Sequence, residues 1–365
     1  MKILYDYQIF TEQKYGGISR YFTEIISRIG VEDENTYEIS LLFSNNYYLK
    51  NKKLNKKEFL HKIEFKGKRR LMQLINQYYS KKLLKKNDFD IFHPTYFDTY
   101  FIDKVKKPYV ITVHDLIYYL YPNENKHELK IRANIQNVVK KASHVIAISN
   151  NTKNDIIKYF NIDEKKISVI YHGCSLNMDL LKKHKSKLSI NYFLYVGNRK
   201  GYKNFANLVL AIAETLISKN LFLICAGGVI PSPEESALLE KLKIKEKVIF
   251  FPHITDDYMA QLYRSALGFI YPSKYEGFGI PILESFACGC PILLSNTSSF
   301  PEVAGNAAIY FDPNSIESIR NTIMNYLELS IEEKNAMRSK GFDRLKLFSW
   351  DKAYKQIFSV YGKLV

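Results

Sequence analysis

Short apolar runs alternate with longer segments of helical periodicity along nearly the whole chain. The runs are rich in Ile, Val, Leu, Tyr and Phe, whereas the segments between them place apolar residues three and four positions apart. Continuous apolar runs are typical of strands buried on both faces, and amphipathic segments between them are typical of crossover helices. The pattern therefore predicts α/β architecture with parallel sheets covered by helices.

The predicted strands fall into two series, one in each half of the chain. The first series is Lys2–Gln8, Tyr37–Phe43, Ile91–His93, Tyr109–Val113, His144–Ile148 and Ile167–Ile170. The second series is Tyr192–Val196, Leu221–Ala226, Lys247–Phe251, Leu267–Tyr271, Pro291–Ser295 and Ala308–Phe311. Between them, the lysine-rich stretch 177–189 interrupts the apolar pattern, as an exposed linker does. We predict two Rossmann-like domains, residues 1–180 and 188–345.

Composition narrows the class of protein. With 365 residues and 46% hydrophobic content, the chain can bury two sizeable cores. Residues 1–10 carry Lys2, Asp6 and Gln8 and lack the apolar core of a secretory signal, and no apolar run is long enough to cross a bilayer. Four cysteines in such a chain do not form a disulfide framework. We therefore expect a cytoplasmic protein, or one that is peripheral on the inner face of the cytoplasmic membrane.

Positive charge is concentrated in one segment of the first half. Of the formal net charge of +16, Lys50–Lys86 contributes +12, from 14 Lys or Arg against two Glu. Its apolar residues recur at helical spacing, at positions 71, 74, 75, 78 and 79. Such a segment could meet an anionic membrane, nucleic acid or a phosphorylated acceptor, or it could be a solvated helix whose apolar stripe faces the core. These alternatives stay open from the sequence.

The most informative stretch is 275–284, which reads YEGFGIPILE and follows a predicted strand. Gly277 and Gly279 let the backbone approach a ligand, and the proline suits the first helical position. Because a helix N-terminus presents free amides and the positive end of a dipole, the junction suits a diphosphate. Glu276 precedes the turn and suits sugar hydroxyls, while Glu284, one turn into the helix, suits a ribose. The alternative is a junction whose acids only cap or solvate the helix.

Other candidates follow predicted strands. The turn after Gly197 carries Arg199, Lys200 and Lys203, whose positive charges suit a bound phosphate. Gly16-Gly17 permits a tight turn near a ligand. We expect the imidazole of His114 at the edge of a cleft and outside the core.

The sequence resembles glycosyltransferase family 4, whose E-x7-E signature is matched by Glu276 and Glu284. The resemblance continues through 254–266 and 286–291 and covers nearly the whole chain. It implies a GT-B fold, two Rossmann-like domains facing a cleft, with the last segment, 346–365, crossing back to the first domain. It implies catalytic roles for His114, Glu276, Arg199 and Lys203. Of these, Arg199 and Lys203 would neutralise the departing diphosphate without a metal, and Lys200 competes with Lys203 for that role. It implies donor binding by Gly16, Gly17, Gly197, Arg199, Lys203, Gly277, Phe278, Gly279, Ile280 and Glu284.

The predicted activity is retaining transfer of a hexose, such as mannose, glucose or N-acetylglucosamine, from a nucleotide-diphosphate sugar. The acceptor is expected to be a glycan or a polyprenyl-linked glycan in bacterial surface polysaccharide synthesis. We expect no cofactor and no metal, because Asp88-Phe89-Asp90, which superficially matches an Asp-x-Asp metal site, precedes an ordinary strand. One alternative is a GT-B nucleotide-sugar epimerase or hydrolase. A second is a non-enzymatic basic nucleic-acid-binding protein, although we expect no nucleic-acid partner.

Overall fold

The structure is a computed structural model that describes residues 1–54, 57–60, 63, 65–122, 125–176, 188, 190–199, 201–252 and 254–365. It divides into two compact units, the first with Met1–His172 and Trp350–Val365 and the second with Gly173–Ser349. The first unit ends before the predicted position 180, because Cys174 already bonds within the second unit, through its Sγ to the Leu283 carbonyl. Apart from Leu188, the predicted linker lies outside the described residues.

The helices and strands follow one another in the alternating order that the sequence predicts. Through residue 172 they are β1 (Lys2–Tyr5), α1 (Gln8–Glu12), α2 (Gly17–Ile26), β2 (Thr36–Ile39), α3 (Tyr47–Asn51), α4 (Lys68–Lys86), β3 (Ile91–His93), β4 (Val110–Val113), α5 (Ile117–Leu120), α6 (Lys126–Lys141), β5 (His144–Ala147), α7 (Asn150–Phe160) and β6 (Ile167–Val169).

In the second half of the chain, helices again lie between successive strands, and three helices follow the last strand. The elements are β7 (Tyr192–Val196), α8 (Phe205–Ser218), β8 (Phe222–Ala226), α9 (Pro233–Lys241), β9 (Val248–Phe251), α10 (Asp256–Ser265), β10 (Gly268–Tyr271), α11 (Ile280–Ala287), β11 (Ile292–Ser295), α12 (Phe300–Ala304), β12 (Ala308–Phe311), α13 (Ile316–Glu328), α14 (Ile331–Leu345) and α15 (Trp350–Gly362). The last helix, α15, belongs to the first unit.

The first unit contains two sets of parallel strands, in the orders β2-β1-β3 and β4-β5-β6. A parallel bridge between Phe92 and Tyr109 joins the sets where β3 meets β4. Strand β2 pairs with one edge of β1 and β3 pairs with the other edge, so the direction in which strands are added reverses between β1 and β3. In open α/β sheets a crevice forms at the carboxyl ends of strands at such a switch point.

The second unit has one six-stranded parallel sheet in the order β12-β11-β10-β7-β8-β9. Its order reverses between β7 and β10, which pair directly through Phe193 and Gly268. This is the strand order of a Rossmann domain, with the switch point between the two central strands. The loops that follow β7 and β10 therefore lie side by side at the carboxyl edge of the sheet.

All twelve predicted strands are confirmed, with ends that differ from the prediction by at most four residues. The first strand ends early because the Asp6 carboxylate accepts hydrogen bonds from Gln8, which begins α1. The second ends at Ile39, and the amides of Leu42 and Phe43 donate instead to the side chain of Asn76. Side-chain partners thus take over the backbone donors that a longer strand would have used.

Helix α4 docks through a face that is largely polar. Its buried residues are Lys68, Met72, Asn76, Ser80 and Leu84. Asn76 bonds the backbone of Leu42 and Phe43, and Ser80 bonds the hydroxyls of Ser40 and Tyr100 at 2.8 and 2.6 Å. Hydrogen bonds between Asn76 and the backbone and between Ser80 and two hydroxyls hold this helix, so its inner face requires few apolar side chains.

The apolar stripe that the sequence predicts on α4 is consequently turned outward. Leu71, Leu74 and Tyr78 are 43%, 57% and 63% exposed, and only Ile75 and Tyr79 are partly buried. The alternative of a core-facing stripe is therefore wrong for most of its residues. No helix in the described ranges is both long enough and apolar enough to span a bilayer.

Candidate active site

The two predicted donor-binding loops meet at the switch point of the second sheet. The turn containing Lys203 follows β7, and the loop containing Glu276 follows β10. The backbone N–H of Lys274 donates to the Tyr202 carbonyl at 2.8 Å and ties one loop to the other. Because ligands of open α/β sheets bind at this edge, the structure places the predicted residues where such a ligand would lie.

Two glycines in these loops have backbone angles that favour glycine. Gly197 has a φ of +116°, and a Cβ there would meet nothing within 4 Å, so the surface above it is open. Gly279 has a φ of +93° and immediately precedes α11. A Cβ at Gly279 would lie 2.9 Å from Ile282 and 3.1 Å from Phe300. The start of α11 therefore depends on this glycine for both conformation and space.

Lys203 and Glu276 form an ion pair at this site. The Lys203 Nζ lies 2.5 Å from Glu276 Oε1, and the two side chains are 13% and 15% exposed. Below them, burial and the neighbouring Glu276 carboxylate raise the pKa of Tyr271 well above its ordinary value, so the phenol stays protonated. A cation and an acid are thus held together at the carboxyl edge of the sheet.

Two serines fix the backbone on both sides of Gly277. Ser298 Oγ accepts from the Glu276 N–H at 3.1 Å and donates to the Glu276 carbonyl at 2.5 Å. Ser299 Oγ, which is fully buried, lies 3.0 Å from both the Glu276 and the Phe278 carbonyl oxygens. These serines were not among the predicted site residues, although they follow the neighbouring strand β11 and so belong to the same edge of the sheet.

Glu284 lies in the second turn of α11, among buried side chains. The Tyr263 hydroxyl donates to Glu284 Oε2 at 3.3 Å. Burial and the nearby Glu284 carboxylate keep the pKa of Tyr263 well above its ordinary value. Helix α11 begins at Ile280, so Pro281 is its second residue rather than its first. The predicted ribose contact of Glu284 stays a prediction.

Arg199 is engaged away from the Lys203–Glu276 pair. Its Nε donates to Glu235 at 2.9 Å and its Nη2 donates to the Val229 carbonyl at 2.7 Å. The guanidinium lies over the Phe250 ring, 4.8 Å from the centroid, and the side chain is 3% exposed. These contacts hold the guanidinium within the second unit, while its Nη1 has no hydrogen-bond partner among the described residues. The predicted diphosphate contact of Arg199 stays a prediction. Lys200, the competing residue, lies outside the described residues.

In the first unit, His114 is enclosed by aromatic rings. Tyr21 meets it edge-on with ring centroids 5.0 Å apart, and Phe22 and His172 lie within about 6 Å. The expected position outside the core is therefore corrected, since His114 is only 7% exposed. Burial lowers the pKa of His114 to about 3, so the imidazole is neutral. Among the described residues, nothing hydrogen-bonds its Nε2.

The glycine pair Gly16-Gly17 leads into α2, which begins at Gly17. The side chain of Gln13 packs against Gly16, where a Cβ would lie 2.2 Å from the Gln13 amide oxygen. The same oxygen accepts from the Ser19 N–H at 3.1 Å. Gln13 thus occupies the space above Gly16 and caps the first turn of α2. Donor binding by the glycine pair stays a prediction.

Comparison with known proteins identifies the family. The family described as Glycosyltransferase Family 4 matches residues 15–177, and that described as Glycosyl transferases group 1 matches residues 179–344. The two matches are consecutive and together cover nearly the whole chain. The chain belongs to the group 1 glycosyltransferases.

Relatives of this glycosyltransferase include two O-antigen enzymes. The O-antigen chain mannosyltransferase RfbU of Salmonella typhimurium is 33% identical over 219 residues, which cover 60% of this chain and 61% of the relative. The O-antigen chain mannosyltransferase B of Escherichia coli is 27% identical over 274 residues, which cover 70% of each protein. The chain thus matches somewhat under two thirds of the length of the first relative.

Solved structures share the fold of this glycosyltransferase over nearly complete lengths. Anabaena Alr3699/HepE, solved in complex with UDP-glucose, superposes with a TM-score of 0.76 at 17% identity, covering all of both chains. The lipopolysaccharide glycosyltransferase WaaG has a TM-score of 0.69 at 15% identity, covering 99% of each chain. The predicted GT-B class, with two Rossmann-like parallel-sheet domains, is confirmed. Neither alternative, the epimerase or hydrolase and the nucleic-acid-binding protein, is favoured by these comparisons.

Proposed function

We propose that this glycosyltransferase transfers a hexosyl unit, with retention of configuration, from a nucleotide-diphosphate sugar to a glycan or lipid-linked acceptor in surface polysaccharide synthesis. The observation that carries the proposal is the Lys203–Glu276 pair at the switch point of the second sheet, beside the N-terminus of α11. Mannose is the sugar that we propose first, because both O-antigen relatives are mannosyltransferases by name.

The proposed chemistry needs positive charge where the diphosphate departs. Lys203 supplies one charge, and the free amides at the start of α11 supply a partial charge fixed in place. The acceptor oxygen bonds to the sugar C1 as the bond from C1 to the phosphate oxygen breaks, and the acceptor proton passes to a phosphate oxygen of the leaving group. We propose that this charge suffices without a metal or other cofactor.

Glu276 is proposed to hold the hydroxyls of the transferred sugar. Its carboxylate is paired with Lys203. When the donor binds, its diphosphate would lie next to the Lys203 ammonium, and the Glu276 carboxylate would accept hydrogen bonds from the sugar hydroxyls. His114 is proposed to act as a neutral hydrogen-bonding group, because burial lowers its pKa to about 3 and removes general-acid chemistry near neutral pH. Its contact with the transferred sugar rests on the family resemblance.

We further propose that α4 meets an anionic membrane surface, which would bring the enzyme to a lipid-linked acceptor. Leu71, Leu74 and Tyr78 form an exposed apolar stripe. The same helix carries Lys82 beside Tyr78, and its last turn carries Lys85 and Lys86. An exposed apolar stripe flanked by cations is the arrangement of helices that lie in the membrane interface. The enzyme would then be peripheral on the cytoplasmic face.

The central experiment screens the full chain against GDP-mannose, UDP-glucose and UDP-N-acetylglucosamine. One donor should raise the thermal unfolding temperature and, with an acceptor glycan, release the nucleoside diphosphate. Lys203→Ala should lower kcat about a hundredfold or more, since it removes a charge that stabilises the leaving group. The matched control Lys340→Ala changes an exposed lysine of α14 in the same unit and should leave kcat unchanged.

The outcomes separate the proposal from its alternatives. Release of nucleotide without glycan extension would indicate a hydrolase, and an altered free nucleotide sugar would indicate an epimerase. If no donor stabilised the protein, or if Lys203→Ala and Lys340→Ala had equal kcat, the proposed donor site would be wrong. Dialysis against a chelator should leave the rate unchanged, and a rate restored only by a divalent ion would contradict the proposal of metal independence.

A further inference from the structure

A cavity of about 520 Å³ opens in the first unit. Its walls include Gln8 and Glu12, which follow β1, and Tyr96, Phe97 and Asp98, which follow β3. The strand order of the first sheet reverses between these two strands. The cavity therefore lies at the switch point of its own sheet, where open α/β sheets bind ligands. Helices α4 and α6 complete its walls.

The floor of the cavity is rigid. Gln8 donates its amide N–H to the Asp6 carboxylate at 2.7 Å and accepts from the Asp98 N–H at 2.7 Å. The Asp6 carboxylate also accepts from Thr95, through both the backbone N–H and the hydroxyl. Asp6 is completely buried. The loops after β1 and β3 are thus bonded into one unit, and a ligand here would meet a preformed surface.

The remaining walls suit the hydroxyl and C–H surfaces of a saccharide. Gln73, Gln77 and Asn134 present amides, each of which can both donate and accept hydrogen bonds. The rings of Tyr96 and Phe97 line the same space and offer flat apolar surfaces. Burial raises the pKa of Tyr96 far above its ordinary value, so its hydroxyl stays a neutral donor and acceptor.

The negative charges that line the cavity have bonded partners, whereas two of its positive charges have none among the described residues. The Glu12 carboxylate accepts from Arg69 at 2.9 Å and from Gln73 at 3.0 Å. Arg70 and Lys130 also line the cavity, and within the described ranges neither forms an ion pair or hydrogen bond. Asp98 lines it too and accepts from the Tyr100 N–H at 3.0 Å. With Glu12 balanced by Arg69, two cations face one carboxylate, and the excess charge is positive.

We infer that this cavity binds an anionic saccharide, with the sugar hydroxyls on the amide and aromatic walls and a phosphate or carboxylate group between Arg70 and Lys130. The inference rests on the proposed function, since the bound saccharide would be the acceptor or the part of it next to the growing end. Arg70 and Lys130 would then determine acceptor specificity by charge, because a neutral glycan would leave both cations unpaired.

The test is calorimetric titration of the full chain, at one fixed ionic strength, with four probes. These are mannose 6-phosphate, glucuronic acid, the neutral methyl α-mannoside and inorganic phosphate. We expect at least one charged saccharide to bind about tenfold or more tighter than methyl α-mannoside, and the tighter of the two identifies the anionic group. Inorganic phosphate should bind more weakly than that saccharide, because it lacks the hydroxyl contacts.

Variants then assign the charge selectivity to the two cations. Arg70→Gln and Lys130→Gln should each weaken binding of the charged saccharide about tenfold and leave methyl α-mannoside unchanged. Both residues are exposed, so the folded state should be retained. The matched control Lys140→Gln removes an exposed lysine of α6, the helix that carries Lys130, that does not line the cavity and should change neither Kd.

Three results would overturn the inference. They are equal affinity for neutral and charged saccharides, affinity of inorganic phosphate equal to that of the charged saccharides, and equal Kd values in all three variants. Thermal stabilisation by the nucleotide sugar, measured on the same preparations, separates this inference from the proposed function. A donor response without charge-selective saccharide binding contradicts only the cavity assignment, whereas the absence of any donor response contradicts the proposed function.

Discussion

The Arg199 guanidinium donates its Nε–H to Glu235 at 2.9 Å, joining the turn after β7 to the first turn of α9. Glu235 also caps α9, because its other carboxylate oxygen accepts a hydrogen bond from the Ser232 N–H at 2.9 Å and completes a capping box. Arg199 thus has an acid, a carbonyl and an aromatic ring as partners within the second unit. These contacts favour a structural role over the predicted contact with the donor diphosphate.

The first prediction tests that role through Arg199→Gln. Removing one partner of a buried ion pair leaves the Glu235 charge uncompensated, so we expect the free energy of unfolding to fall by about 3 kcal/mol. The Kd for the nucleotide diphosphate should change less than about threefold, which is under 1 kcal/mol. Denaturant unfolding and titration with the nucleotide measure both. A large loss of nucleotide affinity with unchanged stability would instead support the diphosphate contact.

The second prediction concerns Ser298, whose φ of +59° is unusual for a residue other than glycine. Ser298→Ala removes both hydrogen bonds to the Glu276 backbone, so Glu276 should be held less firmly beside Lys203. We expect kcat to fall about tenfold while stability falls by about 1 kcal/mol. Ser315→Ala, which removes the N-cap of α13, is the matched control. Ser315→Ala should lower the free energy of unfolding by a similar amount without lowering kcat. An equal loss of kcat in both variants would show that Ser298 does not position Glu276.

The strands could be predicted well because a parallel strand buried on both faces is a continuous apolar run in the sequence, whatever its place in the sheet. The meeting of Lys203 with Glu276 could also be anticipated in outline, since both follow strands and the carboxyl ends of parallel strands share one edge. The pairing itself could not, because it depends on β7 and β10 being neighbours, and 73 residues separate the two side chains.

Which side chains contact one another was harder to predict than which helices and strands form. The sequence shows the cation Arg199 but not that Glu235, 36 residues away, lies beside it. On α4 the apolar stripe was visible, but its direction was not, because the inner face docks through hydrogen bonds of Asn76 and Ser80. Hydrophobic periodicity predicts which face is buried only where burial of apolar area drives the packing.

The third prediction uses the buried histidines of the first unit. His93 bonds Tyr361 at 2.5 Å and Thr112 at 3.0 Å, and burial lowers the pKa of both His93 and His114 to about 3. Between about pH 6.5 and 3 the unfolded chain binds protons that the folded unit does not, so stability falls as pH falls through this window. Each such histidine contributes a slope of about 1.4 kcal/mol per pH unit well below 6.5.

His114→Asn measures that slope directly. Denaturant unfolding between pH 7 and pH 4 should give a pH dependence shallower than that of the unchanged protein by about 1.4 kcal/mol per pH unit at the acid end. His127→Asn, which changes an exposed histidine of α6, should leave the slope as it was. If the two variants had the same pH dependence, His114 would not be neutral in the folded unit, and the neutral hydrogen-bonding role proposed for it would fail with it.

The fourth prediction tests the membrane contact of α4 with the double variant Leu71→Ser, Tyr78→Ser. Burying exposed apolar side chains in the interface contributes about 1.5 to 3 kcal/mol each when burial is complete, so the partition coefficient should fall about tenfold or more. The measurement is cosedimentation with vesicles of phosphatidylglycerol and phosphatidylcholine. The full chain should bind these more tightly than vesicles of phosphatidylcholine alone, and added salt should weaken the difference because it screens the lysines.

The control is Ile217→Ser, which changes an exposed aliphatic residue of α8 and should partition like the unchanged chain. Equal partitioning of the double variant and the unchanged chain would mean that the outward stripe of α4 faces something other than lipid.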